Sequence, residues 1–233
     1  MIVATREWIE KDGLLLNDGL SALGLKHGFT TRRAGNMKDP EKRKAAAEIV
    51  GLSAPLTLRQ VHGTIIHDGK TENAGLEGDG WILSKTGLTV GVYAADCVPL
   101  FLWEEGGKAA GVFHAGWRGT AKKMALAAVA AFRDRLGIPA SRLQAATGAH
   151  IGACCYKVGE ELKKDFPESS FIQREGALWL DLALETRRQL LEAGLSPEKI
   201  GPAAPCTSSN PDDYFSFRRD KQDARMLAFV SLR

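Results

Sequence analysis

The chain has 233 residues, of which 44% are hydrophobic and 25% charged, and its formal net charge is +3. This balance is ordinary for a soluble globular protein, and the small charge, scattered along the chain, argues against nucleic acid as a partner. We also expect no membrane partner, because the longest apolar stretch, residues 88–103, is interrupted by Asp96 and Pro99.

The start of the chain and its cysteines indicate where the protein works. Residues 1–7 show no basic segment followed by an apolar one, so we expect no secretion signal. Four cysteines in a chain of this length do not make a disulfide framework, and the adjacent Cys154 and Cys155 do not readily bridge each other. We therefore expect a reducing, cytoplasmic location, where cysteines more often bind metal or do chemistry.

The chain contains no internal repeat or low-complexity linker, so we expect one domain over residues 1–233. In chain order, short apolar and β-branched runs predict strands at 27–33, 57–66, 88–94, 98–103, 109–114, 143–151 and 179–180. Helical patterns with capping residues predict helices at 40–50, 119–136, 158–166 and 182–193. The tail, 214–232, is assigned to neither class. Hairpins and crossovers are mixed, so we expect an α+β fold with a mixed β-sheet core and outer helices.

Three local signals refine this prediction. Residues 105–108, Glu-Gly-Gly-Lys, predict a hairpin turn between two neighbouring strands. The segment 95–99 is expected at a strand edge or bend, because Pro99 has no amide proton to donate to a ladder. Asp181 is the expected N-cap of the last predicted helix, which Gly194 ends.

Two segments carry most of the reactive side chains. Residues 95–99, Ala-Asp-Cys-Val-Pro, contain Cys97, and residues 114–119, His-Ala-Gly-Trp-Arg-Gly, contain His114. His62 would complete a set of two imidazoles and one thiol. Zinc accepts these donors, and catalytic zinc has three protein ligands with a fourth position open. The pattern therefore indicates a shared metal site, although the long spacings do not form a local zinc motif.

The same atoms permit other chemistry. Cys97 could be a nucleophile, with His62 or His114 as its base and Asp96 as an orienting group. Copper also uses two histidines and a cysteine, but typically with closely spaced ligands. Five histidines are too few for a full multicopper oxidase. The residues alone do not separate metal ligation from nucleophilic use.

Arginines beside predicted turns indicate an anionic reactant, because guanidinium binds phosphate or carboxylate bidentately. These arginines are Arg32, Arg33, Arg118, Arg218 and Arg219. Surface solvation is the simpler explanation for any single one of them, except for Arg118, which stands between Trp117 and Gly119 just after a candidate ligand. Asp79, between two glycines, is as readily a turn former as a functional group. His150 lies near a turn that could approach the site, and Cys154, Cys155 and Cys206 are expected to be packed or to line a pocket.

These motifs resemble the laccase-domain, or "polyphenol oxidase", family of bacterial YfiH-type proteins. The resemblance covers nearly the whole chain in the family's order, and segments 95–99 and 114–119 together are highly specific. The other matching positions are 28–32, 60–63, Asp79, 151–159, 206–207 and 215–220. The chain departs from the family pattern at Ala149, Lys157 and 223–224. These departures leave the contacts to the substrate open.

The resemblance implies a zinc site made of His62, Cys97 and His114 in a cytoplasmic α+β protein, with copper as a lesser alternative. It implies phosphorolysis of adenosine, inosine, guanosine and methylthioadenosine, together with deamination of adenosine. Purine nucleosides and inorganic phosphate would then be the partners of a monomer or weak homodimer. The catalytic residues expected besides the ligands are Arg32, Arg118 and Asp96. Those expected to contact substrate are Gln60, Trp117, Tyr156 and Arg218.

Two further activities stay open. Some bacterial relatives edit a peptidoglycan precursor, and a cysteine-type amidase of this kind would remove L-Ser from UDP-MurNAc-L-Ser. A copper-dependent phenol oxidase is the other alternative, and it predicts visible colour and oxygen uptake. A nucleoside phosphorylase would instead release the free purine base only when phosphate is present.

Overall fold

The structure is a computed structural model that describes residues 7–202 and 204–232. The first strands are β1 (Trp8–Lys11), β2 (Leu14–Asn17), β3 (Lys26–Thr30), β4 (Leu56–Thr57), β5 (Ile66–Asp68), β6 (Gly80–Leu83) and β7 (Thr89–Ala94). The later strands are β8 (Val98–Glu104), β9 (Ala110–Ala115), β10 (Leu143–Thr147), β11 (Lys157–Val158), β12 (Phe171–Arg174), β13 (Ala177–Leu180) and β14 (Met226–Ser231). The helices are α1 (Asp18–Ala22), α2 (Pro40–Glu48), α3 (Trp117–Ala121), α4 (Met124–Leu136), α5 (Leu182–Glu192) and α6 (Phe217–Asp220).

The strands form three sheets within the described residues. The first has the order β1-β2-β3-β14-β7-β4 and is antiparallel except where β4 joins β7. The second has the order β10-β8-β9-β6-β5 and is antiparallel except where β5 joins β6. A small antiparallel sheet, β11-β13-β12, completes the set. The α+β prediction is confirmed, with the expected mixed sheet divided into two large sheets and one small one.

Strand sequences explain how these layers pack. Successive side chains of a strand point to opposite faces, so a strand buried on both sides is apolar throughout. In β14, Ala228 and Val230 face the second sheet, whereas Leu227 and Phe229 pack toward α2. In β8, Phe101 and Trp103 belong to the core between the sheets, whereas Leu100 and Leu102 pack toward α4 and α5. The order of layers is therefore helix, sheet, sheet, helices.

Most predicted elements are confirmed with small shifts at their ends. Predicted helices 40–50 and 182–193 correspond to α2 and α5, and the Asp181 side chain accepts the Leu184 N–H as the predicted N-cap. Residues 105–108 join β8 to β9 as predicted. Ala95 to Cys97 form the expected bend, with Pro99 in the strand that follows.

Four predicted elements are wrong in extent or type. The predicted helix 119–136 is broken at Lys123, whose φ of 68° is left-handed and separates α3 from α4. The predicted strand 57–66 is mostly a loop, in which His62 has a φ of 58°. The predicted helix 158–166 is a 3₁₀ segment at Glu160–Lys164, and the strand predicted at 143–151 ends at Thr147.

The extent of the domain, 1–233, stays a prediction, and residues 1–6 and 203 and 233 lie outside the described part of the chain. None of the helices in the described residues is long and apolar enough to cross a bilayer.

Candidate metal centre

Two crossings between the large sheets bring distant side chains together. His62 lies in the loop from β4 to β5, and Cys97 lies in the bend from β7 to β8. His114 is near the end of β9, beside that bend. The nearest ligand atoms of the three residues lie within 4.8 Å of one another. The structure thus brings together the three residues that the sequence groups into a metal site.

Asp79 holds two of these side chains in place. Its side chain is fully buried, and one oxygen lies 2.8 Å from Nδ1 of His114. The same carboxylate accepts the N–H groups of Val61, His62 and Gly63 at 3.2, 3.0 and 2.8 Å. With Nδ1 donating to a carboxylate, Nε2 of His114 is the nitrogen left for a metal. Asp79 thus has a defined positioning role, whereas its glycine neighbours in sequence are equally compatible with a turn former and a functional group.

The charges of the cluster favour a thiolate. Burial raises the pKa of Cys97, but His114 and His62 outweigh it and lower the pKa to about 6. Burial also opposes the charged form of His114, but the Cys97 thiolate and Asp79 raise its pKa to about 9. The thiolate is the form that both ligates metal and attacks as a nucleophile. The electrostatics alone therefore suit either use of Cys97.

Gly116 gives the cluster its room. A Cβ atom at this position would lie 2.8 Å from Sγ of Cys97 and 3.0 Å from Cδ2 of His62. Real Cβ atoms do not approach other atoms so closely, so any larger residue would displace the thiol or the imidazole. The glycine in the motif at 114–119 is explained by this contact.

Asp96 fixes the bend that presents Cys97. Its φ of 91° is unusual for a residue with a side chain. The carboxylate accepts Oγ1 of Thr207 and the N–H of Arg218, both at 2.6 Å. Its carbonyl accepts the N–H of Ile151 at 2.9 Å. These contacts support a role for Asp96 in positioning the bend that carries Cys97. A catalytic role for Asp96 stays a prediction.

A cavity of about 580 Å³ opens over the cluster. Four cationic side chains and two aromatic ones line it with the three predicted ligands, and the arrangement suits an anionic, ring-bearing molecule. The cationic residues are Lys38, Arg59, Arg118 and Arg225, and the aromatic residues are Tyr93 and Phe217. Arg118 forms no ion pair within residues 7–202 and 204–232, and its guanidinium lies 4.2 Å from the centre of the Trp117 ring.

The predicted substrate contacts separate into two groups. Gln60 lines the cavity, but its amide already bonds the backbone of Tyr93 through both ends, at 2.9 and 2.6 Å. Trp117, Tyr156 and Arg218 line a neighbouring cavity of about 500 Å³ instead. Their roles as substrate contacts stay predictions.

Arg32 lies away from the cluster's cavity. Its guanidinium is 4.9 Å from the centre of the Phe215 ring and 3.5 Å from Asp220, and it donates to the carbonyl of Pro211. The sequence pointed to Arg32 through the family resemblance, whereas it gave no signal for Lys38, Arg59 or Arg225. Arg225 lies in the tail, 214–232, for which the sequence predicts neither helix nor strand.

Known proteins resemble this chain both in sequence and in fold. Residues 35–233 match the family described as multi-copper polyphenol oxidoreductase laccase. A purine nucleoside phosphorylase of Xylella fastidiosa strain 9a5c is 34% identical over 202 residues, which cover 81% of this chain and 76% of that protein. Adenosine deaminase RL5, from an unknown prokaryotic organism, is 33% identical over 157 residues, 64% of this chain and 60% of that protein. The crystal structure of the Bacillus licheniformis hypothetical protein YfiH has a TM-score of 0.88 and 25% identity, covering 97% of this chain and 99% of that chain.

The layered α+β fold and the imidazole–thiol cluster define a laccase-domain protein with a potential metal site. The chain belongs to the multi-copper polyphenol oxidoreductase laccase family, and the resemblance to YfiH-type proteins is confirmed.

Proposed function

We propose that this protein is a zinc-dependent purine nucleoside phosphorylase that also deaminates adenosine and cleaves methylthioadenosine. The observation that carries the proposal is the cluster of His62, Cys97 and His114 on the wall of a cavity lined by cationic and aromatic side chains. Relatives named purine nucleoside phosphorylase and adenosine deaminase support the same class of substrate.

The donor set fits a single zinc ion. Two imidazoles and a thiolate leave a fourth tetrahedral position open, as catalytic zinc requires. Asp79 sets the tautomer of His114, and the lowered pKa of Cys97 supplies the thiolate. Copper is the weaker assignment, because the described residues contain this one imidazole–thiol cluster and only five histidines occur in the chain.

When bound, zinc would supply Lewis-acid chemistry, lowering the pKa of a water toward neutrality or polarising the purine. For deamination, His62, Cys97 and His114 would hold the ion beside adenine C6, where water oxygen would be added and the C6–N6 bond would break, giving inosine and ammonia. For phosphorolysis, Arg118 would hold phosphate for attack on ribose C1′, and the C1′–N9 bond would break. The bond's electron pair would pass to the base, which takes up a proton. Arg225 and Lys38 also line this cavity, where both are ion-paired with Asp223.

The experiment that tests this proposal pairs metal content with product analysis. Purified protein is incubated with adenosine, with and without phosphate, and products are separated by chromatography. We expect one zinc per chain and phosphate-dependent adenine and ribose-1-phosphate, with Cys97→Ala losing both metal and activity. Zinc-free protein that leaves adenosine untouched would refute it, and the serine-bearing muropeptide would then test Cys97 as a nucleophile.

A pair of arginine variants tests how phosphate is held. Arg118→Ala should raise the KM for phosphate about tenfold, because a hydrogen bond to a charged group contributes about 1.5 kcal/mol. Arg32→Ala is the matched control, since Arg32 lies outside the cavity. Steady-state kinetics at varied phosphate would contradict the assignment if Arg32→Ala had the larger effect.

A further inference from the structure

A second cluster of thiols lies outside the site described above. Cys154 and Cys155 are in the turn before β11, and Cys206 is in a segment that bridges to His150. The three sulfur atoms lie within 4.8 Å of one another. All three cysteines are free thiols. Three sulfur atoms from two distant stretches of chain therefore converge without a covalent link.

The backbone around this cluster is tightly built. Gly152 donates its N–H to Sγ of Cys206 at 3.2 Å, and it begins the turn by accepting the N–H of Cys155 at 3.0 Å. A Cβ atom on Gly152 would lie 3.4 Å from Sγ of Cys154. On the other side, Thr207 donates its N–H to the carbonyl of His150 at 2.9 Å, which fixes the segment that carries Cys206. The sulfur atoms are thus held by backbone contacts on both sides.

The cluster is also open to small solutes. Cys154 is exposed, and Cys155 and Cys206 are half-buried. A cavity of about 400 Å³ is lined by Cys154 and Cys206, with Arg187 and Asp181 on its wall. An ion can therefore reach the sulfur atoms from solvent, as a metal site requires.

The protonation of the cluster is uneven. Burial raises the pKa of Cys206, but the Gly152 N–H and Ser209 outweigh it and lower the pKa overall. Burial and the neighbouring sulfur atoms of Cys206 and Cys155 raise the pKa of Cys154. Because like charges repel, the three sulfur atoms at this separation become thiolates together only when a cation lies among them, and otherwise keep protons.

We propose that Cys154, Cys155 and Cys206 form a second metal site, made only of thiolates, for a thiophilic cation of the Cu⁺ or Zn²⁺ kind. Soft thiolate ligands select these ions, and no imidazole or carboxylate belongs to the cluster. Binding releases to solvent the protons that the thiols still carry. The site is independent of the proposed function, because it shares no residue with the cluster of His62, Cys97 and His114.

Cadmium is the probe, because its bonds to thiolates absorb in the ultraviolet and its ¹¹³Cd resonance reports how many sulfur ligands it has. Reduced, metal-free protein is titrated with ¹¹³Cd²⁺ without oxygen. We expect two ions per chain, one with a single thiolate and one with three. Cys97→Ala should lose the first ion and keep the second, whereas Cys154→Ala and Cys206→Ala should weaken binding of the second at least tenfold.

Cys154→Ala is the decisive variant, because the exposed side chain of Cys154 can be removed without loss of folding. Absence of a three-thiolate ¹¹³Cd resonance from the native protein, or a sulfur-rich ion retained unchanged in both Cys154→Ala and Cys206→Ala, would overturn the proposal, whereas loss of the single-thiolate ion alone would count only against the proposed function. Cu⁺ or Zn²⁺ should displace the three-thiolate ¹¹³Cd resonance in Cys97→Ala. Failure of both ions to displace it would refute the assigned class of cation.

Discussion

Two buried carboxylates, Asp79 and Glu185, have similar numbers of hydrogen-bond and ion-pair partners. They differ in whether a partner faces the cavity over the imidazole–thiol cluster. Asp79 is bonded by three backbone N–H groups and one imidazole, and that imidazole faces a cavity. Glu185 is bonded by Ser170, Arg188, Gln189 and Lys123. Its partners join α5 to the junction of α3 and α4 and line no part of that cavity.

The difference shows what marks a functional carboxylate. Both side chains have a lowered pKa, because hydrogen-bond donors outweigh the cost of burial in each. A shifted pKa and burial therefore do not separate a site from a structural network. What separates them is that a partner of Asp79, His114, belongs to the imidazole–thiol cluster on the wall of the cavity of about 580 Å³, whereas no partner of Glu185 does.

Asp79→Asn should have the largest effect on the site. An amide cannot accept all the hydrogen bonds that the carboxylate accepts, so His114 and the His62 loop would lose their orientation. Loss of such a partner typically lowers metal affinity about 10- to 100-fold, measurable by zinc competition with a chelator. The exposed Asp134→Asn is the control, and equal zinc affinity in Asp79→Asn and native protein would break the comparison.

Glu185→Gln should lower stability and leave zinc affinity unchanged. The donors lower the pKa of Glu185 from its ordinary 4.5 to about 2 against the effect of burial. With one pKa unit equal to about 1.4 kcal/mol, this lowering corresponds to roughly 3 to 4 kcal/mol in favour of the ionised group. This stability is complete above about pH 4.5 and is lost as the pH falls toward 2.

Chemical unfolding of native and Glu185→Gln protein at several pH values checks this expectation. The difference in the free energy of unfolding should be full at pH 7 and shrink in acid. A difference that is independent of pH would show that lost packing, and not lost charge, explains the variant.

Gly116→Ala should have the smallest effect of the three. Its Cβ would lie 2.8 Å from Sγ of Cys97, and overpacking typically costs about 1 to 3 kcal/mol. We expect zinc affinity to fall roughly tenfold. Gly63→Ala is the matched control in the same site, because its nearest contacts would be an ordinary 3.6 Å. Equal loss in both variants would argue against a steric cause.

The sequence predicted the three clustered residues but not what holds them. His62, Cys97 and His114 carry recognisable chemistry and flanking glycines. Asp79 is 35 residues from His114, and its neighbours do not distinguish a turn former from a functional group. Its role depends on a loop and a strand meeting it in space, which local patterns do not encode.

Two of the wrongly predicted secondary-structure elements have the same kind of cause, a contact with a residue distant in sequence. Two lysines at 122–123 give no signal for the left-handed residue between α3 and α4. The break is accompanied by tertiary bonds, from Gln189 to the carbonyl of Thr120 and from Lys123 to Glu185. Residues 57–66 have a strand-like composition, but Asp79 binds the backbone at 61–63 and holds it as a loop. In both cases a distant partner overrides the local preference.

The placement of the cluster also has a consequence for the order of folding. His62 and Cys97 each lie where the chain crosses from the first sheet to the second. Neither sheet alone can present the three residues, so the proposed affinity for a metal would develop only after the two sheets have docked. An ion bound there would link the two sheets, and its release would precede or accompany their separation.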